Sequence, residues 1–143
     1  MKSTTTNPKY YHYGYRFISP QDKKEEWEYV VQMHKNQNGT HFDLRLAKPG
    51  KEYAYSWASK KPPISITRPV LARRTHDHSL EHLDFEGPLE TAKGSGTVKI
   101  ISRGTAKLHS IDEEGIRFDL DSGENLLLKN LRGKKYLIVD PTI

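Results

Sequence analysis

The sequence contains no cysteine, and this absence excludes several kinds of site. Without thiols there is no disulfide framework, no thiolate metal site and no cysteine nucleophile. No stretch approaches the roughly 18 apolar residues that a membrane-spanning helix needs. The first eight residues are polar and lack the apolar run of a secretory signal. These absences predict a cytoplasmic protein that has no membrane partner.

Long helical patterns are also missing after residue 26, where short alternating segments and turn residues follow one another. This spacing is typical of an antiparallel barrel or sandwich. We predict a mainly β single domain over residues 1–143, with an N-terminal arm at 1–26 and a barrel at 27–143. The residues from Ser19 to Glu26 predict a short helix. We expect one or two short helices in the chain as a whole. Strands are expected at 27–34, 40–46, 52–58, 70–76, 97–102, 106–111, 115–120, 124–128 and 135–139, with turns at Gly94-Ser95-Gly96 and Arg103-Gly104 among others.

The segment Thr40 to Leu46 alternates without interruption, which is the pattern of a half-buried strand. His41, Asp43 and Arg45 share one face of this strand. If residues 35–40 form a hairpin, His34 on the preceding strand can reach the same row. Two imidazoles and a carboxylate can bind a divalent metal, and the arginine suits a phosphate. The alternative is a surface ion pair between Asp43 and Arg45, which would contribute little.

Acidic residues are absent from Ser59 to Arg74, although the chain as a whole carries 18 of them against 23 lysines and arginines. A basic segment of this kind suits an anionic polymer better than a small neutral ligand. We predict that four of its cations, Lys60, Lys61, Arg73 and Arg74, contact a nucleic-acid backbone. A solvated basic loop is the alternative.

A second histidine cluster follows at His76, His78 and His82. Imidazoles titrate near neutrality, so His78 could donate to a phosphate or act as a general acid. A polar loop that tolerates histidine is the alternative interpretation.

Several motifs in a fixed order resemble the 3′-phosphoesterase domain of bacterial DNA ligase D and its free-standing relatives. The resemblance spans about residues 27–139. It rests on Tyr29-Val30-Val31-Gln32-Met33-His34, His41-Phe42-Asp43-Leu44-Arg45-Leu46, Ser56-Trp57-Ala58, Asp77-His78-Ser79-Leu80, Asp84-Phe85-Glu86-Gly87, Gly115-Ile116-Arg117-Phe118 and Tyr136-Leu137-Ile138-Val139.

The resemblance implies an antiparallel barrel of roughly eight strands with a surface groove that holds one manganese ion or another divalent transition metal. By the family's pattern His34, His41 and Asp43 would bind the metal, while Arg45 and His78 would contact the scissile phosphate. The family removes a 3′-terminal ribonucleoside and then the 3′-phosphate, which leaves a ligatable hydroxyl. The implied substrates are DNA or RNA/DNA 3′ ends in double-strand break repair by end joining. A DNA ligase or the end-joining machinery, acting in trans, is the implied partner.

The sequence departs from the family's pattern at several places. The interval from His34 to His41 is one residue longer, His76 replaces an acid, and residues 88–93 lack a Pro-Glu-Gly motif. His82 replaces a phosphate-contacting tyrosine, and its cationic form would be the better phosphate partner, which predicts that activity weakens above neutral pH. A non-catalytic nucleic-acid-binding barrel that retains the scaffold is therefore the main alternative function, and a small-molecule phosphatase is a third.

Overall fold

Nine β-strands form the fold in a computed structural model that describes residue 18 and residues 26–91 and 94–142. Most of the predicted helix at 19–26 and most of the N-terminal arm lie outside the described residues, and Glu26 begins the first strand. The strands are β1 (Glu26–Asn36), β2 (Gly39–Ala47), β3 (Tyr53–Ser59), β4 (Val70–Ser79), β5 (Gly87–Thr91), β6 (Gly94–Asp112), β7 (Gly115–Leu120), β8 (Asn125–Arg132) and β9 (Lys135–Val139).

The strands close into an eight-stranded antiparallel barrel, which confirms the predicted fold class. Their order is β1-β2-β3-β4-β9-β8-β7-β6, and β6 closes the barrel by pairing with β1. Strand β5 is an additional strand that pairs with β6. The predicted hairpin of β1 and β2 is present, and it places His34 directly opposite His41.

Alternation within each strand separates a filled barrel interior from an outer face. Tyr53, Tyr55 and Trp57 of β3 point inward, where they join a large apolar core with Trp27 and Phe118. Ser56, on the opposite side of the same strand, is also fully buried. An outward polar residue can be buried only if another element covers the barrel there, and this covering element positions the candidate site.

The cover is a 3₁₀ helix, Leu80–Asp84, in a segment that the sequence suggested to be a polar loop. Its Leu83 is buried against Val30, Ala47 and Ala54 on the outer face of β1, β2 and β3. One leucine in a polar segment carries no helical or strand periodicity, so the local sequence does not reveal this docking. The helix follows β4 directly and lies across the outside of the barrel.

Two further expectations about strands are wrong. The segments at 97–102 and 106–111 belong to one 19-residue strand, β6, because the chain continues through Gly104 without turning. Glycine leaves room there for the exposed Asp121 carboxylate, which a Cβ at position 104 would displace. Gly94-Ser95-Gly96 begins the same strand, and β5 pairs with this end of it. Glycine indicated a turn at residues 94–96 and at Gly104, whereas in the fold it allows neighbouring segments of the chain to approach each other closely.

Arg74 lies inside the barrel and not on the basic surface to which the sequence assigned it. Arg74 is in phase with the inward Val70 and Ala72 of β4 and lies opposite the inward Trp57 of β3, and it is only 8% exposed. Its guanidinium lies 5.3 Å from the ring centre of Tyr55 and 5.2 Å from that of Trp57. It also donates a hydrogen bond to the fully buried Asp77 carboxylate. These contacts make Arg74 part of the core.

We predict that Asp77→Asn strongly destabilises the fold, because it leaves the buried Arg74 charge without its anionic partner. Breaking a buried ion pair on one side costs about 3 to 5 kcal/mol. The free energy of unfolding from urea titrations measures this loss. Glu28→Gln is the matched control, since Glu28 pairs with the exposed Arg103 and such pairs contribute less than about 1 kcal/mol. Equal losses in the two variants would show that the Arg74–Asp77 pair has no special role.

Candidate metal centre and phosphate site

The candidate site lies on the outer face of the barrel, where cross-strand pairing brings its residues together. His34 lies opposite His41, and Gln32 lies opposite Asp43, in the β1–β2 ladder. Arg45 lies opposite Ser56 in the β2–β3 ladder. Directly opposite residues of an antiparallel pair share a face, so all six side chains point to the same side of the sheet.

His34, His41 and Asp43 form a group that can hold one metal ion. Each offers a ligand atom, and these three atoms lie within 4.8 Å of one another. Ligands bound at about 2.1 Å to a single ion are at most about 4.2 Å apart, so small side-chain shifts suffice to bind one. Two imidazoles and a carboxylate form a donor set suited to a divalent transition metal. The residues present therefore fit the implied ion.

The protonation states of this group favour metal binding at neutral pH. Burial, together with His41 and Arg45, lowers the pKa of His34. Burial alone would raise the pKa of the Asp43 carboxyl, but the Arg45 guanidinium and a hydrogen bond with His41 hold this pKa below its ordinary value. His34 is therefore neutral and Asp43 is charged, which are the forms that coordinate a metal.

Arg45 is buried beside the metal group and is fixed by three neighbours. Its Nε donates to Gln32 Oε1 at 2.6 Å and its Nη1 donates to Ser56 Oγ at 2.9 Å. Its Nη2 lies 3.7 Å from Asp43 Oδ2. A guanidinium has five N–H donors, so donors remain on its terminal nitrogens. Such a fixed fork can bind two oxygens of a phosphate.

Gln32 is a central residue that our sequence analysis did not identify. Besides accepting from Arg45, its Nε2 donates to the backbone carbonyls of His82 and Phe85. Gln32 thereby links the guanidinium to the end of the 3₁₀ helix. The available signal was a glutamine within the apolar run of β1, two residues before His34 and hence on the same face.

Three imidazoles lie on the Arg45 side of the site. The rings of His76 and His78 stack at 4.3 Å, and His82 of the 3₁₀ helix meets His78 edge-on at 4.8 Å. His78 Nδ1 is 3.1 Å from Ser56 Oγ, the hydroxyl that accepts from Arg45. If this hydroxyl donates to Nδ1, the proton of neutral His78 is on Nε2, where it can be donated to a ligand.

Both His78 and His82 are uncharged at neutral pH in the free protein. Burial, followed by the Arg45 charge and the neighbouring imidazoles, lowers the pKa of His78 far below its usual range. Burial and Arg45 lower the pKa of His82 to about 4. Neutral His82 differs from the cationic phosphate partner that the sequence suggested. In the unfolded chain imidazoles take up a proton near pH 6.5, whereas His78 and His82 stay neutral in the folded protein. The free energy of unfolding therefore decreases as the pH falls below that value.

The predicted basic residues divide between the surface and the core. Lys60, Lys61 and Arg73 are exposed around a groove that His41 also lines. Lys135 of β9, which the sequence analysis did not select, lies opposite Arg73 on the same groove. Arg74, in contrast, points into the barrel. The surface cations therefore cluster beside the metal group.

The barrel carries on its outer face a group that can hold a metal ion and a buried arginine with remaining donors, an arrangement suited to phosphate chemistry. Family comparison makes this specific, because the DNA ligase D 3′-phosphoesterase domain matches residues 32–136. The chain belongs to the DNA ligase D 3′-phosphoesterase domain family. All the predicted metal-binding, phosphate-contacting and basic residues lie within the matched range.

Similar curated proteins are named as multifunctional non-homologous end joining proteins. The chain is 35% identical over 107 residues to the LigD protein of Mycobacterium bovis, which covers 73% of this chain and 13% of that protein. It is 35% identical over 121 residues to LigD of Pseudomonas aeruginosa, covering 75% of this chain and 14% of that protein. The chain thus spans about one seventh of the length of these relatives.

Within residues 26–91 and 94–142, no helix has the length and apolar content that crossing a membrane requires.

We predict that Asp43→Ala abolishes metal binding while the fold is retained, because Asp43 lies on the outer face and not in the barrel core. Added Mn²⁺ should raise the melting temperature of the wild type and leave that of the variant unchanged. Asp119→Ala is the control, since this carboxylate pairs with His109 on another strand. Undiminished Mn²⁺ stabilisation in folded Asp43→Ala would remove Asp43 from the ligand set.

Proposed function

We propose that this domain is a manganese-dependent 3′-end-processing phosphoesterase of DNA repair. It would remove a 3′-terminal ribonucleoside, a 3′-phosphate or both, and leave a hydroxyl that a DNA ligase acting in trans can join. His34, His41 and Asp43 would hold Mn²⁺ or another divalent transition metal. Arg45, His78 and His82 would contact the reacting phosphate.

The observation that carries this proposal is the position of Arg45. Its guanidinium is buried, retains free donors and lies next to Asp43 of the metal group. A nucleic-acid-binding barrel without catalysis has no need to bury an arginine beside three potential metal ligands. Family membership and the end-joining names of the relatives support the same function.

The protein residues have separable roles in this proposal. A bound divalent metal would supply a Lewis acid at a phosphoryl oxygen. Arg45, held in place by Gln32 and Ser56, would bind the phosphate and stabilise its developing charge. His78 would donate a hydrogen bond from its neutral imidazole, which suits bracing the phosphate better than protonating a leaving group. His82 would donate similarly from the 3₁₀ helix.

The surface cations would hold the strand without reading its sequence. Lys60, Lys61 and Arg73 are exposed and flank the groove beside His41. Contacts of this kind to phosphates position a nucleic acid but do not distinguish bases. We omit Arg74 from the proposed interface because its charge is buried in the core.

We predict that the wild type with Mn²⁺ shortens a duplex that ends in one 3′-ribonucleotide, and that Arg45→Lys nearly abolishes this reaction. A lysine retains the charge but lacks the planar fork and the contact to Gln32. The expected rate loss is on the order of 10²-fold, the effect of removing one pre-organised donor. Gel electrophoresis at nucleotide resolution measures the shortened strand that the wild type and Arg45→Lys each produce.

Arg132→Lys provides the matched control, because Arg132 lies at the exposed end of β8. Near-normal activity of Arg45→Lys would show that Arg45 does not grip the reacting phosphate. An unchanged 3′ end in the wild type with Mn²⁺, despite binding of the duplex, would favour the non-catalytic alternative.

We also predict that His82→Tyr leaves the shape of the pH profile of kcat/KM unchanged between about pH 6 and pH 9. The pKa of His82 is lowered to about 4, so its charged form exists only below that pH and both side chains are neutral donors over this range. Because kcat/KM reports the ionisations of the free enzyme, steady-state rates at saturating Mn²⁺ test this directly. A flatter alkaline limb in His82→Tyr would show that a cationic His82 takes part after all.

A further inference from the structure

A groove of about 460 Å³ lies between β3, β4 and β9 and opens beside the metal group. His41 lines one end of it, and the His41 side chain is 39% exposed. The groove is therefore continuous with the site of the proposed reaction.

A cross-strand row connects the groove to the metal group. Asp43 lies opposite Ala58, Ala58 opposite Arg73, and Arg73 opposite Lys135. Neighbouring strands are about 4.8 Å apart, so Arg73 is two strands and Lys135 is three strands from the Asp43 backbone. A ligand anchored at the metal group can reach these cations by lying across the row.

The groove combines an apolar floor with a basic rim. Its floor includes Ala58, Ala72 and Leu71, and the Leu71 side chain is 61% exposed. Its rim is formed by four exposed cations, Lys60, Lys61, Arg73 and Lys135. Of the residues that the structure describes, no carboxylate lines the groove. Among the described residues none of these four forms an ion pair with a carboxylate. An apolar floor suits the face of a base or sugar, and the cations suit phosphates.

Charge determines which side of the scissile phosphate fits the groove. The group that leaves is a nucleoside or a free phosphate, and it carries no further strand phosphates. Only the retained strand, on the 5′ side, supplies a series of anions to match the cations. We infer that the groove binds the nucleoside immediately 5′ of the scissile phosphate, with the upstream phosphates along Lys60, Lys61, Arg73 and Lys135. This inference rests on the proposed function, and it gives the strand a fixed direction across the barrel.

The test is a thermodynamic cycle between Leu71 and the base of that nucleoside. The probe is a 5′-fluorescein single-stranded DNA 12-mer with a 3′-phosphate, in which the 3′-terminal nucleoside is intact or abasic. Fluorescence anisotropy with a metal chelator present gives Kd without turnover. We expect Leu71→Ala and the terminal abasic site each to weaken binding about five-fold. In Leu71→Ala, removal of the base should then have no further effect, because the two groups contact each other.

Two controls test the contact between Leu71 and the terminal base. Leu131 of β8 is 51% exposed and does not line the groove, so Leu131→Ala should bind like the wild type. An abasic site five nucleotides from the 3′ end should not couple to Leu71.

Lys135→Gln should reduce the slope of log K against log salt by about 0.7, the value for one contact to a single strand, whereas Lys107→Gln, on β6, should not.

Additive losses from Leu71→Ala and the terminal abasic site would overturn the inference, as would coupling only to the inner abasic site. Normal DNA binding by Leu71→Ala would also overturn it and would leave an acidic protein segment as the occupant of the groove. The binding measurement does not require the proposed reaction to take place, because the chelator prevents turnover. Coupling between Leu71 and the terminal base without any Mn²⁺-dependent cleavage would retain the inferred strand path and reject the phosphoesterase. Cleavage without this coupling would retain the phosphoesterase and reject the strand path.

Discussion

The burial of the Arg45 guanidinium is the constraint on which the candidate site depends. A buried charge is costly unless polar partners replace the water that it loses. Gln32, Ser56 and Asp43 replace this water from three adjacent strands. Gln32 in turn binds the end of the 3₁₀ helix that covers this face. The arginine, the metal group and the helix are consequently coupled, since displacement of any one of them leaves a buried polar group unsatisfied.

The site is separated from the core by the thickness of one sheet. Side chains such as Trp57 and Leu44 fill the barrel interior, whereas the polar groups alternate with them on the outside. A small second core around Leu83 anchors the cover without contributing to the main one. The polar groups of the site therefore lie outside the main apolar core. The ion pair of Asp77 with Arg74, in contrast, belongs to the interior.

Positive charge near the candidate phosphate site comes from fixed groups and not from titrating ones. Burial beside Arg45 keeps His78 and His82 neutral at pH 7, so Arg45 and any bound metal carry the positive charge there. Neutral imidazoles donate hydrogen bonds without adding repulsion to Arg45. In the same environment a tyrosine or a histidine at position 82 offers an uncharged donor.

The sequence by itself determined every feature that depends on local alternation. The two-residue period of a strand places His41, Asp43 and Arg45 on one face, and the hairpin turn brings His34 opposite His41. The succession of short strands indicates an antiparallel barrel or sandwich, and the family resemblance implies the barrel. It did not determine the path of β6, the extra strand β5 or the docked 3₁₀ helix, because glycine permits both turning and close approach and one buried leucine has no period. The inward Arg74 and the central role of Gln32 were decided by the tertiary structure. Pairing opposite the inward Trp57 buries Arg74, whereas the 3₁₀ helix segment on the outer face covers Gln32. Burial decides whether a polar side chain meets solvent or protein.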